Sequence, residues 1–191
     1  MQVQFAPNAL AAFGSPTASV IVDTDDPAQT TYTTNVKGTI GIPPTASCAP
    51  VTVSTDPNLC TNANASINSG SSDPDGEAIT LTQSPAGPYT LGTTAVTLTV
   101  TDTPGLTSSC ASTVTVQDHQ NPSITCPAAQ TVQCMNSSGA SVSLNPTVSD
   151  NCPSVTAACV PPSGSTFGFG TTPVTCNATD GSGNTSSALH R

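Results

Sequence analysis

The chain has 191 residues, a net charge of −9 and only two strong cations, Lys37 and Arg191. That balance excludes the basic stripe of a nucleic-acid binder and any electrostatic pull toward anionic membranes. Charged residues make up 7% and aromatic residues 3%, with no Trp, so any core is thin and built from Val, Ile, Leu and Ala; small modules with thin cores need staples.

Residues 1–41 open with Val3 and Phe5 in alternation, then Ala18, Val20 and Val22. The turn Asp25-Asp26-Pro27 follows, then a run from Tyr32 to Val36, and Gly38 and Gly41 close the segment. Period-2 runs separated by Asp, Pro and Gly are strands joined by tight turns. Three or four strands fit here, fewer than the roughly seven of a free-standing sandwich.

Residues 42–118 form a second unit. Val51 and Val53 begin it, Val96, Leu98 and Val100 alternate with Thr97, Thr99 and Thr101, and Val114 and Val116 end it. Alternation of this kind is a half-buried antiparallel strand, which rules out a disordered Thr- and Pro-rich stalk. Residues 119–191 repeat the plan at a spacing of about 78 residues, the mark of stacked copies of one folding unit. Asp73 aligns with Asp150, Pro85-Ala86-Gly87 with Pro162-Ser163-Gly164, and Gly92-Thr93-Thr94 with Gly170-Thr171-Thr172. Asp102 aligns with Asp180, Gly105 with Gly183, and Cys110 with Ala188. In the second copy Val174, Cys176 and Ala178 take the inward positions, and Cys159 and Cys176 stand where the first copy has Thr82 and Leu98.

Particular residues carry a family resemblance. Cys126-Pro127, Asp150-Asn151-Cys152, the run Pro161 to Phe167, Gly170-Thr171-Thr172, Val174-Thr175-Cys176 and Ala178-Thr179-Asp180 through Gly183-Asn184 resemble the hyalin repeat (HYR) family. That resemblance implies an immunoglobulin-like β-sandwich of extracellular adhesion and structural proteins, with no catalytic residues to carry over. The first copy matches more loosely, with Asp73-Pro74-Asp75-Gly76 at the Asp-Asn-Cys position. In residues 1–41, Phe5, Pro7, Gly14, Ala18, Val20, Val22, Asp25-Asp26-Pro27, Val36, Gly38 and Gly41 resemble the C-terminal half of an ASH-type immunoglobulin-like domain of choice-of-anchor proteins.

Eight cysteines are available as staples: Cys48, Cys60, Cys110, Cys126, Cys134, Cys152, Cys159 and Cys176. None lies in a CxxC pair and there are only two histidines, so disulfides in an oxidising compartment are expected and a zinc site is not. The first copy holds three cysteines and the second five, both odd counts. Either one bridge crosses between modules, or at least two thiols stay free or pair between chains. Cys110 shares an inward face with Val114, which favours a bond to Cys48 or Cys60.

Asp73, Asp75 and Glu77, in a Gly-containing turn, and Asp102 after the next core strand are candidate calcium ligands, because alternate carboxylates supply the hard oxygens calcium takes. Asp23-Thr24-Asp25-Asp26 and the linker Asp118 are lesser candidates, and no other cofactor is expected. Asn-x-Ser/Thr sequons at Asn64, Asn136, Asn177 and Asn184 are candidate glycosylation sites. Neither His119 nor His190 sits in a motif that would activate a thiol, so no enzyme activity is expected.

The pattern predicts an all-β chain: tandem immunoglobulin-like β-sandwich modules in an elongated array, the first (1–41) and last (119–191) incomplete. It is expected to be secreted, extracellular or at a cell surface, with no membrane insertion and no nucleic-acid partner. No export signal is evident, so one is expected to have been removed or to lie upstream. Two readings of the incomplete ends stay open. The chain is a piece of a longer array, or copies complete one another head to tail, with Gln2 to Pro7 as donor strand. An adhesin or a carbohydrate-binding accessory of a larger secreted protein, with surface glycans as partners, is the competing class.

Overall fold

The computed structural model describes residues 17–23, 31–37, 41–103, 105–134 and 137–190; the expected strand Gln2–Pro7, the turn Asp25-Asp26-Pro27 and the sequon Asn136 lie outside them. Among the described residues every regular element is a strand. Strand β1 (Thr17–Asp23) and strand β2 (Thr31–Lys37) form an antiparallel hairpin, Thr17 opposite Lys37 and Asp23 opposite Thr31.

The first module contains β3 (Val51–Ser54), β4 (Thr61–Asn62), β5 (Thr80–Ser84), β6 (Tyr89–Thr90), β7 (Gly92–Thr101) and β8 (Thr107–Gln117). One sheet runs β3-β8-β7-β5. The other layer is β4 paired with β6, extended by bridges from Thr45 to Ser72 and Cys48 to Asn68. Along β7 the buried side chains are Val96, Leu98 and Val100, as the alternation requires. With Val114 and Val116 of β8 they meet Ala65, Ile67 and Tyr89 from the opposite layer. Leu98, Val100 and Val114 are fully buried, worth about 1.5–3 kcal/mol each relative to exposure. Strand β3 lies parallel to the end of β8, Val51 beside Val114 and Ser54 beside Gln117.

The second module contains β9 (Ser123–Thr125), β10 (Ala140–Ser141), β11 (Thr147–Ser149), β12 (Thr156–Val160), β13 (Thr166–Phe167), β14 (Val174–Thr179) and β15 (Thr185–His190). Its sheet β12-β14-β15 repeats β5-β7-β8, while β9 pairs with β11 and β10 with β13. Its core is Cys159, Val174 and Cys176 with Ile124, Leu144 and Phe167 against them. Gly139 (φ 107°) lies against the Phe167 carbonyl, where any Cβ would collide.

Strand registers correct the alignment of the two copies at one turn. Leu98 faces Cys110 and Cys176 faces Ala188, so these positions correspond. Ser84 pairs with Thr97 and Val160 with Thr175, so Pro85 matches Pro161 and not Pro162. The offset between the copies is 76 at this proline and 78 in the next strand, so the second copy carries two extra residues in the turn after it. By the same register Cys159 replaces Gln83, not Thr82. The exchange is physical: Gln83 ties the layers by hydrogen bonds, whereas Cys159 ties neighbouring strands through sulfur. Gln83 Nε2 donates to the Ala65 carbonyl and to Tyr89 Oη, both at 3.0 Å, and Gln83 Oε1 accepts from Ile67 N at 2.7 Å.

The closing strand also differs from expectation. In the first module β8 runs unbroken from Thr107 through Cys110 to Gln117, longer than the Val114 and Val116 alternation alone marks. In the second, β15 already supplies the counterpart of its first half, Thr107–Ser112. The counterpart of the second half, Thr113–Gln117, is not found among the described residues.

Candidate functional site

The modules meet at a junction built by three loops. The loop after β3 contributes Thr55, Asp56, Leu59 and Cys60; the linker contributes Asp118 and Gln120; and the loop after β11 contributes Asp150, Asn151 and Cys152. Cys60 and Cys152 form a disulfide across the junction. Gln120 Nε2 donates to Thr55 Oγ1 at 2.9 Å and to the Asp56 carbonyl at 3.0 Å, and its Oε1 accepts from Asn58 N at 3.0 Å. Asn151 Nδ2 donates to the Leu59 carbonyl at 2.9 Å and lies 3.3 Å from Asp118 Oδ1. Asn184 Nδ2 reaches the Asp118 carbonyl at 3.2 Å and Asp180 Oδ2 at 2.8 Å. Burial pushes the Asp180 carboxyl up, but hydrogen bonds from Asn184, Ser182 and Gly183 outweigh it and hold the group below its ordinary 3.8.

Asp118 is 4% exposed. Its Oδ1 accepts from Gln120 N at 3.0 Å and from Thr55 Oγ1 at 3.3 Å, but its buried Oδ2 has no partner. Asp150 repeats the arrangement, with Oδ2 accepting from Cys152 N at 3.0 Å and buried Oδ1 without a partner. Among the described residues no carboxylate has an ion-pair partner.

Among the described residues, one edge of the second module carries no strand. In the first module Gly92–Ala95 of β7 pair with Thr113–Val116 of β8, with β3 flanking. Their counterparts, residues 170–173 and 129–132, form no strand. Between them lies a groove of about 720 Å³ lined by Val132, Val142, Leu144, Phe167, Phe169 and Val174 among others. Phe169 is 80% exposed at its rim.

The expected calcium residues lie at the other end of the first module. Asp73 Oδ1 accepts from Asp75 N at 3.0 Å and Glu77 N at 3.4 Å, and Asp75 Oδ2 accepts from Ile42 N at 3.0 Å. Asp102 Oδ1 ties its own turn through Gly105 N at 2.8 Å and Leu106 N at 2.7 Å. A hydrogen bond between the side chains of Asp73 and Asp75 holds the first above and the second below the ordinary value. Glu77 is raised, first by burial and then by the negative charges of Asp75, Asp102 and Asp73. Asp73 Oδ2, Glu77 Oε2 and Asp102 Oδ2 are buried without partners. Among the described residues only Asp118, Asp150 and Cys152 bring three potential ligand atoms within 4.8 Å of one another, so no three of these four carboxylates meet that closely.

The odd cysteine counts have one source. One bridge crosses the junction, Cys60–Cys152, and one closes each module, Cys48–Cys110 and Cys159–Cys176. Cys126 and Cys134 have no disulfide. Cys126 Sγ lies 3.2 Å from the carbonyl of Ala188, the residue standing where the first module has Cys110. Of the sequons, Asn64 and Asn177 are exposed, whereas Asn184 is half-buried and its Nδ2, the atom a glycan would take, is held by Asp118 and Asp180. Sequence reasoning missed the junction role of Asn151 and Asn184. Asn151 adjoins Asp150 and Asn184 lies four residues after Asp180, both acids that the repeat aligns, but nothing in spacing alone marks their amides as inter-module donors.

These features define an all-β chain of disulfide-stapled sandwich modules in series. Residues 117–189 match the HYR domain family. No curated protein matches the chain. A solved structure of the extracellular cadherin domains 1–4 of protocadherin gamma B7 is similar, at 13% identity and a TM-score of 0.37. The likeness covers 94% of this chain, which spans 64% of that one. The HYR match and the three disulfides point to an extracellular or cell-surface protein.

Proposed function

We propose that the protein is an extracellular structural subunit, a segment of a surface-associated filament or stalk, in which copies join head to tail by strand complementation. In this reading residues 42–118 are a divergent HYR-type copy and residues 1–41 part of an ASH-type module. The open edge of the second module carries the proposal: residues 129–132 and 170–173 flank an apolar groove where the first module holds the end of β8. An extended strand with apolar residues at alternate positions fits such a slot, because it satisfies free backbone groups and buries one face. Gln2 to Pro7, with Val3 and Phe5 two apart, is the donor. A contact between two different surfaces propagates into a fibre unless it closes into a ring. Calcium at the turn of Asp73, Asp75, Glu77 and Asp102 belongs to the same reading, held by pairs of these carboxylates and not by three together, and no catalytic role does.

Electron microscopy and light scattering of the whole chain test it. Filaments whose growth is blocked by a peptide of the Gln2–Pro7 sequence support the proposal. A monomer that grows no filaments and does not take up the peptide sinks it. The competing class, an adhesin or carbohydrate-binding region, draws on the exposed Phe169 and is favoured if that monomer retains a defined glycan.

A further inference from the structure

Two carboxylates with orphaned oxygens come together at the junction, and among the described residues neither has an ion-pair partner. Asp118 closes the first module's last strand, and Asp150 sits in a loop of the second. A carboxylate oxygen from each, together with Cys152 Sγ, lies within 4.8 Å of the others. The sulfur is bonded to Cys60 and cannot act as a thiolate, which removes the soft donor a zinc site would use. What remains is hard oxygen. One ion at calcium–oxygen distances bridges two oxygens up to about 5 Å apart. Asp118 is 96% buried by its 4% exposure, and its Oδ2 has no partner. Leaving such an atom unsatisfied is costly unless a ligand meets it.

A third orphaned oxygen belongs to Asn151, the chain neighbour of Asp150. Asn151 Nδ2 is fixed by the Leu59 carbonyl at 2.9 Å and by Asp118 Oδ1 at 3.3 Å, which leaves Asn151 Oδ1 as the other end of the amide, also without a partner. The geometry points to a calcium site at the module junction, held by Asp118 and Asp150 with the Asn151 carbonyl alongside and water completing the shell. Calcium is preferred over magnesium because its longer bonds span oxygens up to 4.8 Å apart, whereas two magnesium bonds reach only about 4.2 Å. Two carboxylates and one amide place affinity in the range of extracellular modules, on the order of 10⁻⁴–10⁻³ M. The ion would join the modules at a second point beside the Cys60–Cys152 bridge.

The test uses the whole chain and calcium alone, read by backbone amide shifts in NMR. Wild type is expected to shift at Gln117–Gln120 and Asp150–Cys152 at millimolar calcium. D118N and D150N, each isosteric, should each weaken that response by about tenfold or more. E77Q, at the distant acidic turn, should leave it intact, which separates this site from that one. The proposal is overturned if those amides do not move with calcium, if they move equally with magnesium, or if their response survives in the D118N/D150N double variant.

Discussion

Ala188→Cys should close a fourth disulfide. The registers place Ala188 opposite Cys176 as Cys110 lies opposite Leu98, and Cys126 occupies the place of Cys48. Cys126 Sγ already lies 3.2 Å from the Ala188 carbonyl, and the loop it would close spans 62 residues, the same as Cys48–Cys110. The chain-entropy relation puts a loop of this length at about 4 kcal/mol, and engineered bridges commonly deliver less, so about 2–4 kcal/mol is expected. Denaturant unfolding of oxidised and reduced variant measures it: the oxidised midpoint should rise and the gain should vanish on reduction. Thiol titration checks the chemistry. The variant starts with three unbridged cysteines and should end with one, Cys134. If all three still titrate after oxidation, or if Cys126 bonds Cys134 and leaves the new thiol free, the equivalence of the two closing strands is refuted.

Replacing Cys60 and Cys152 together by Ser should cost about 2–4 kcal/mol and split one calorimetric transition into two, since the covalent tie between modules is gone; a single unshifted transition would show that hydrogen bonds alone couple them. Gln83→Ala strands the Ala65 carbonyl, Ile67 N–H and Tyr89 hydroxyl contacts, and should destabilise by about 1–3 kcal/mol in urea unfolding. Glu77 is raised above its ordinary 4.5, so the folded form holds its proton more tightly than the unfolded one. Stability at this group is therefore present below 4.5 and lost as pH rises through the raised value. Glu77→Gln should remove that loss and raise the calcium-free urea midpoint at neutral pH, with little change under acid conditions; an equal change at both would disprove the electrostatic cause.

The sheet strands were legible because their signal is local. Val96, Leu98 and Val100 alternate with threonines over one strand, and a half-buried sheet has few other ways to read them. The register of the turn after Pro85 was less legible, since Pro161 takes that place and two added residues after it restore the spacing, while Pro162-Ser163-Gly164 still looks like the better match. Cysteine parity predicted that a bridge crosses between modules or that thiols stay unpaired, and both conditions hold together. Parity cannot say which cysteine crosses, because Cys60 meets Cys152 only after two loops from different modules have docked. Asp118 was named as a lesser calcium candidate, but its pairing with Asp150 was not legible for the same reason: the two are far apart in sequence and become a pair only in three dimensions.

The placement of the bridges bears on mechanical load. Cys48–Cys110 and Cys60–Cys152 interlock along the chain, so tension entering near Cys48 reaches Cys152 through about a dozen residues and one sulfur bridge. That covalent path can stretch to roughly 40 Å, against several hundred for the same stretch of chain without bridges. Before that path is drawn taut, β3 and the end of β8 run parallel, so pulling at the start of one and the end of the other shears their hydrogen bonds together instead of peeling them one by one. A chain built this way resists extension first as a clamp and then as a strap, and it stays short under forces that would unravel an unbridged sandwich.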